Sequence, residues 1–271
     1  MSALRVAAAQ MTSGPDVAAN LAVAEELAEG AAAAGAGLLA LPENFAFLGL
    51  ADADKRQIAE ADGEGPIQRW LAGTARRLGL WLIGGTIPLR RSDGERVAAA
   101  CLVHDAQGRR VARYDKIHLF DVDLPERKET YRESANIAPG SATKIVETPF
   151  GVVGLSVCYD VRFPELYRQL CSAGAQLLSV PSAFTTATGR AHWEPLLRAR
   201  AIENLCYVLA PAQSGFHPNA RETYGDTMII DYWGQVLTRR QRGRGIVVAE
   251  IDLASQAAAR RSFPALQHRV L

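Results

Sequence analysis

The sequence has no CxxC pair, and its four cysteines, Cys101, Cys158, Cys171 and Cys206, stand far apart in 271 residues. That spacing gives no basis for a disulfide framework or a zinc site, and it points to a reducing cytoplasm. None of the five histidines (His104, His118, His192, His217, His268) falls at HxxxH or HxH spacing, so neither a metal nor an organic cofactor is expected. Charge of one sign is not in excess: 30 basic residues face 29 acidic ones, a net charge of +1. This removes the electrostatic case for a nucleic acid or an anionic membrane as partner. No apolar run reaches the roughly 18 residues that span a bilayer, and MSALRVAAAQM lacks the charged leader and long apolar core of a signal peptide. Aromatic residues are few, at 7%, yet 48% of the chain is hydrophobic, enough for a substantial core in one large domain or two small ones.

The most informative stretch is GVVGLSVCYDVRFPE, Gly151 to Glu165. Val152, Val153, Leu155 and Val157 suit a strand buried on both faces. Pro164 has the fixed φ of a first helical turn, and Glu165 suits the helix dipole there. Cys158 therefore stands where a strand ends and a turn lifts its side chain clear of the sheet. Such a turn suits a nucleophile, since its backbone N–H groups can face a developing oxyanion. On these residues alone, a buried structural thiol remains the alternative.

Upstream, Leu4 to Gln10 reads as a strand. A helix opened by Pro15-Asp16 follows, with Val17, Leu21, Ala24 and Ala28 at helical spacing, and then a strand over Leu38 to Leu41. Gly65-Pro66 opens a second helix carrying Ile67, Trp70, Leu71, Thr74 and Leu78. Leu80 to Ile87, with an interruption at Gly84-Gly85, Val97 to His104 and Arg109 to Lys116 read as strands, with a hairpin signal at Asp93-Gly94. Ile117 to Gly140 reads as a long loop and Gln213 to Gly225 as a polar one. Lys144 to Thr148 pairs with the strand before Cys158, a helix covers Phe163 to Ala173, and a strand covers Gln176 to Val180. An arginine-rich helix spans His192 to Asn204, in which Arg198 and Arg200 suit ion pairs or a subunit contact. Strands over Cys206 to Pro211, Met228 to Asp231 and Gly245 to Ile251 close the sheet, and Trp193 and Trp233 read as packing residues. The order of elements indicates one α/β domain over residues 1–271, with 254–271 a charged extension that docks on something.

Three polar residues follow strands: Glu43 after LLALP, Lys116 after VARYD and Cys158 after GLSV. Residues at strand ends gather along a rim, where sites form. A thiol, a carboxylate to take its proton and an ammonium to steady a substrate oxyanion make a hydrolytic set. Singly, Glu43 also reads as a solvated acid and Lys116 as an edge lysine.

LPENF (Leu41 to Phe45), YDKIHLF (Tyr114 to Phe120) and GLSVCYDVRFPEL (Gly154 to Leu166) resemble, in order, the glutamate, lysine and cysteine motifs of the nitrilase superfamily of carbon–nitrogen hydrolases. The resemblance implies a four-layer α-β-β-α sandwich that forms a homodimer or higher homo-oligomer, with 254–271 at the subunit interface. It implies Glu43 as general base, Lys116 as oxyanion-stabilising cation, Cys158 as nucleophile and Glu133, in YRES, as a second glutamate. Cys158 would then attack an amide carbonyl, with the backbone N–H of Tyr159 beside Lys116 at the oxyanion. Longer stretches, among them PSAFTTATGRAHWEPLLRARAIENLCYV and TYGDTMIIDYWG, resemble family branches that cleave ω-amides of 2-oxo acids, releasing either a peptide or ammonia. A substrate of that kind carries carboxylates. Arg162 is the candidate to bind one in a bidentate fork, unless it pairs with Asp160, and Phe184 and Thr185 are candidate wall residues. A catalytically silent binding protein is the competing reading, and the intact Glu43, Lys116 and Cys158 argue against it.

Overall fold

The computed structural model describes residues 4–92, 94–124 and 129–270. The first part runs β1 (Leu4–Met11), α1 (Val17–Ala33), β2 (Leu38–Ala40), α2 (Pro66–Leu78), β3 (Trp81–Ile83), β4 (Ile87–Leu89), β5 (Ala98–His104) and β6 (Arg110–Asp115). A small hairpin of β7 (Asp121–Leu124) and β8 (Glu129–Arg132) leads to β9 (Lys144–Thr148), β10 (Gly151–Leu155) and α3 (Pro164–Ser172). Then follow β11 (Leu177–Ser179), α4 (Thr186–Asn204), β12 (Tyr207–Ala210), β13 (Ala212–Phe216) and β14 (Glu222–Tyr224). The chain ends in β15 (Thr227–Ile230), β16 (Val236–Arg240), β17 (Gly245–Ile251) and α5 (Leu253–Ser262).

Among the described residues these strands form two large sheets. One has nine strands, in the order β14-β13-β1-β2-β3-β5-β4 with β17 on β1 and β6 on β5; the other has six, β16-β15-β12-β11-β10-β9. The alternation of β1 shows how the layers arise. Ala7 and Ala9 point to the core shared with α1 and α2, whereas Val6 and Ala8 point to the core between the sheets. Helix α1 is capped by Asp16, whose carboxyl accepts from the Ala19 N–H at 3.1 Å, and it buries Ala24, Leu27, Ala28 and Ala31. On the far side, Leu166 and Leu170 of α3 and Trp193, Leu197 and Ala201 of α4 pack on the six-stranded sheet. Each large apolar side chain buried this way contributes about 1.5–3 kcal/mol. The result is the four-layer α-β-β-α sandwich.

Several segments refine the sequence reading or differ from it. Leu80 to Ile87 is interrupted at Gly84-Gly85 as expected, which separates β3 from β4, because the chain must pass Pro42. A Cβ on Gly85 would lie 2.0 Å from the Pro42 carbonyl oxygen, and its φ is +51°. Ile117 to Gly140 contains the β7–β8 hairpin, and Gln213 to Gly225 contains β13 and β14. Helix α4 begins at Thr186, capped by the Thr185 hydroxyl, so His192 lies inside it and not at its start. Arg200 is buried against Glu203 (2.7 Å) and the Val161 carbonyl (2.9 Å). Trp233 is not a packing residue, being 60% exposed. Asp93 of the expected hairpin tip lies outside the described residues. The segment after Asp252 folds as α5, whose Gln256 side chain donates to the carbonyls of Gln176 and Leu205.

Candidate active site

Glu43, Lys116 and Cys158 come from strand ends of both sheets, so the site lies between them and not on the rim of one. Glu43 follows β2, and Lys116 follows β6 in the same sheet; Cys158 follows β10 of the other. Two glycines let the backbone come close enough. Gly85 passes Pro42 just before Glu43. A Cβ on Gly140 would lie 2.1 Å from the Asp115 carbonyl, just before Lys116, and the Gly140 N–H donates to the Lys116 carbonyl at 2.8 Å.

The Lys116 ammonium is buried and donates to Glu43 Oε1 at 2.8 Å and to Glu133 Oε2 and Oε1 at 2.8 and 3.0 Å. Burial alone would push this lysine down; the charges of Glu133 and Glu43 outweigh it and hold it well above its ordinary value. The other Glu43 oxygen accepts from the Ala183 N–H at 2.9 Å, and Glu133 Oε2 also accepts from the Phe120 N–H at 2.7 Å. The β7–β8 hairpin therefore does for Glu133 what a sheet does for Glu43: it ends one residue before it and fixes its approach.

Cys158 has a left-handed backbone, φ +49°, at the head of a single helical turn over Cys158–Arg162, and its N–H donates to the Pro181 carbonyl at 2.9 Å. A non-glycine residue in that region stores strain that the surroundings must hold. Burial pushes its thiol well up, with the Glu43 charge and a hydrogen bond from the thiol to Glu43 adding to the shift, against Lys116 and the Ala183 N–H. At rest the sulfur keeps its proton and has a base already beside it.

Behind Glu43 lies a network that sequence reading did not find. Gln213 Nε2 donates to the Glu43 carbonyl (3.0 Å) and to Ser13 Oγ (2.8 Å), while Gln213 Oε1 accepts from the Ser13 N–H (3.0 Å). His217 Nδ1 meets the Ser13 carbonyl at 2.8 Å and Nε2 meets Thr223 Oγ1 at 2.7 Å. A carbonyl only accepts, so Nδ1 carries the proton and Thr223 donates to Nε2. Burial pushes His217 down, in keeping with the neutral ring. Behind Cys158, Asp160 has no exposed surface. Its Oδ2 accepts from Tyr114 Oη (2.7 Å) and the Val157 N–H (2.8 Å), and its Oδ1 from the His118 N–H (3.0 Å) and Nδ1 (2.7 Å).

Cys158, Glu43, Lys116 and Glu133 all line one cavity of about 970 Å³, open solvent at its mouth included. Arg162, Phe184, Thr185 and Tyr159 line it too. Arg162 does not pair with Asp160, whose oxygens are filled. Its guanidinium meets His192 Nδ1 at 3.1 Å and lies 5.2 Å over Phe184 and 5.7 Å over Tyr159, with no carboxylate partner among the described residues. The opposite wall was not foreseen. There Arg221 grips Asp52 through two hydrogen bonds (2.8 and 2.9 Å) and stacks 5.1 Å over Tyr131, with Lys55 and Asn219 beside them. Tyr131 lies in β8, Asp52 and Lys55 in a short 3-10 turn, and Asn219 and Arg221 between β13 and β14, with no motif in the sequence to join them.

The model of the carbon–nitrogen hydrolase family matches residues 5–261. A deaminated glutathione amidase of Synechocystis sp. is 46% identical over 268 residues, covering 97% of either chain. The crystal structure of the C. elegans NitFhit protein superposes with a TM-score of 0.90 at 39% identity, over 100% of this chain and 66% of that one. A mutant amidase from Nesterenkonia sp. AN1, showing the Michael addition of acrylamide at the active site cysteine, superposes with a TM-score of 0.79 at 28% identity, over 96% of this chain and 98% of that one.

Proposed function

The chain belongs to the carbon–nitrogen hydrolase family, and from that premise we propose a thiol amidase that repairs deaminated glutathione, hydrolysing it to 2-oxoglutarate and cysteinylglycine. The substrate follows the relatives that match along nearly the whole chain. One observation carries the chemistry: an ammonium locked 2.8 Å from each of two carboxylates, in the cavity that the thiol also lines.

In this reading Glu43 takes the Cys158 proton as the sulfur attacks the amide carbon. The oxyanion forms against Lys116 and the backbone N–H of Tyr159, and Glu43 passes the proton to the departing amine. Water, deprotonated by Glu43, then hydrolyses the thioester and frees the acid. Lys116 is held by two carboxylates, so it keeps its charge and position when the oxyanion appears, which lowers the reorganisation needed at that moment. Glu133 restrains the ammonium from the side away from Glu43. Arg162, with no carboxylate of its own, binds a substrate carboxylate, and Phe184 and Thr185 form the wall beside it.

We further read the protein as a cytoplasmic homodimer in contact through the 254–271 extension. Phe263 of this segment is 53% exposed and meets Trp233 edge to face at 5.8 Å, and Ile202, 49% exposed, lies next to Gly234. An apolar group of this kind suits a subunit contact. No helix among the described residues is long and apolar enough to cross a membrane.

The test is an assay that resolves products, run on deaminated glutathione and on 2-oxoglutaramate side by side. Faster release of cysteinylglycine than of ammonia supports the reading. The reverse ranking makes the protein an ω-amidase of small 2-oxo-acid amides.

A further inference from the structure

Four cysteines are free among the described residues. Cys158 belongs to the cavity, and Cys101 is sealed between the sheets, its thiol pushed up to about 12 by burial. The remaining two meet outside the cavity. Cys171, half-buried in the last turn of α3, accepts a hydrogen bond from the thiol of Cys206, which is fully buried just before β12. Both sulfurs also lie within reach of the Asn204 carbonyl, at 3.5 Å and 3.3 Å.

Three guanidinium groups surround the pair. Arg260 of α5 places Nη2 at 3.1 Å from the Cys206 sulfur and at 2.9 Å from the Ala175 carbonyl, so it is anchored on both. Arg168, one turn earlier in α3, donates to the Glu203 carbonyl, and Arg269 donates to Ser172 Oγ at 3.1 Å. The Cys206 hydrogen bond first, and then Arg260, Arg168 and Arg269, draw Cys171 down to about 7 despite burial. Burial, and then the same hydrogen bond, push Cys206 well up. Cys171 thus gives up its proton more readily than Cys206, an asymmetry that an attacking thiolate with a resolving thiol needs. The hydrolytic mechanism uses neither.

We propose that Cys171 and Cys206 form a second reactive centre, a dithiol that peroxides oxidise reversibly to a disulfide. The Cys171 thiolate attacks one peroxide oxygen; the O–O bond breaks, and the departing hydroxide takes a proton and leaves as water. The resulting sulfenic acid is attacked by the Cys206 sulfur. The S–S bond forms, the S–O bond breaks, and the Cys206 proton leaves with the hydroxyl as a second water. Two thiols lose two electrons in total, and hydrogen peroxide becomes two waters. Both sulfurs lie against the Asn204 carbonyl oxygen, at 3.5 and 3.3 Å, so the approach to the disulfide bond length of about 2.05 Å starts from neighbouring positions.

The experiment treats the intact protein with hydrogen peroxide at neutral pH and maps its peptides without reduction. The expected result is a Cys171–Cys206 linked peptide, lighter by two hydrogens than the separate pair and lost on treatment with dithiothreitol. Cys206→Ala should halt the reaction at a Cys171 sulfenic acid that dimedone captures, and Cys171→Ser should lose the linked peptide altogether. Under reducing conditions both variants should hydrolyse amide at the wild-type rate. Two results would overturn the proposal: oxidation of Cys158 with no linked peptide in the wild type, or Cys206 oxidised equally well when Cys171 is serine. The wild-type peptide map decides the question even if the Cys206 variant fails to fold.

Discussion

Two buried carboxyl groups flank Cys158, and they differ in how completely they are occupied. Asp160 has four donors for its two oxygens and no exposed surface. Glu43 has one fewer: the Lys116 ammonium on one oxygen, the Ala183 N–H on the other and the Cys158 thiol beside them, and it opens on the cavity. A carboxyl group with every acceptor direction filled holds structure and has no capacity left for a proton in flight. One with directions to spare, next to a thiol, can take part in chemistry. The difference teaches that burial alone does not separate a scaffold acid from a reactive one; the count of donors does.

Substitutions on each side sharpen the contrast. The largest expected effect is on the nucleophile. Cys158→Ala should lower kcat by roughly ten-thousand-fold or more, with a melting temperature near that of the wild type, as followed by amide turnover and circular dichroism. Lys116→Met comes next. Removing the ammonium leaves Glu43 and Glu133 facing each other in the interior, which should cost about 3–5 kcal/mol in denaturant unfolding and lower kcat roughly a hundred- to a thousand-fold. Asp160→Asn should act mainly on stability. An amide turns one donor toward donors, so about 2 kcal/mol is expected to go, with a much smaller loss of kcat than Lys116→Met gives. A larger kcat loss than stability loss there would break the comparison.

How much of this was legible in the sequence follows from the same distinction. Glu43, Lys116 and Cys158 each come just after a segment that reads as a strand, which points to them, and the resemblance carried by the three motifs puts them in one site. Asp160 lies only two residues from Cys158, yet its partners Tyr114 and His118 belong to a distant segment, and no local pattern joins them. Gln213, Ser13 and His217 carry no signal for the same reason, nor does the Arg221–Asp52 clasp: Gln213 and Ser13 are 200 residues apart and meet because β13 pairs with β1, and Arg221 and Asp52 are 169 residues apart. The β7–β8 hairpin reads as loop because its alternation is short: Val122 and Leu124 are half-buried between the exposed Asp121 and Asp123, within a segment of mixed charge and weak periodicity. Trp233 reads as a packing residue, although its neighbours Asp231 and Gly234 make an exposed turn.

The smallest effects concern substrate and titration. Arg162→Ala should raise KM roughly tenfold for a substrate bearing a carboxylate, the worth of one charge-assisted hydrogen bond, and leave an uncharged amide nearly unaffected. Equal losses on both would remove Arg162 from carboxylate binding. For the cysteines, the direction of each shift sets the sign. Burial and Glu43 push Cys158 up, so its alkylation by iodoacetamide should still be rising above pH 9, because the thiolate fraction grows up to the raised pKa. Cys171, drawn down to about 7, should level off not far above neutrality.

The central claim is that the Cys158 sulfur becomes acylated while Glu43 moves the proton. Glu43→Gln retains the shape of the site and removes the base from both halves of the reaction, so it should neither build up an acyl group nor release product at an appreciable rate. Turnover of deaminated glutathione by the wild-type protein, quenched in acid and followed by peptide mass mapping, tests the claim most directly. The account predicts a 2-oxoglutaryl thioester on the peptide carrying Cys158, cleaved by hydroxylamine. Product release with no acyl group on that peptide, or an acyl group on another residue, would contradict it.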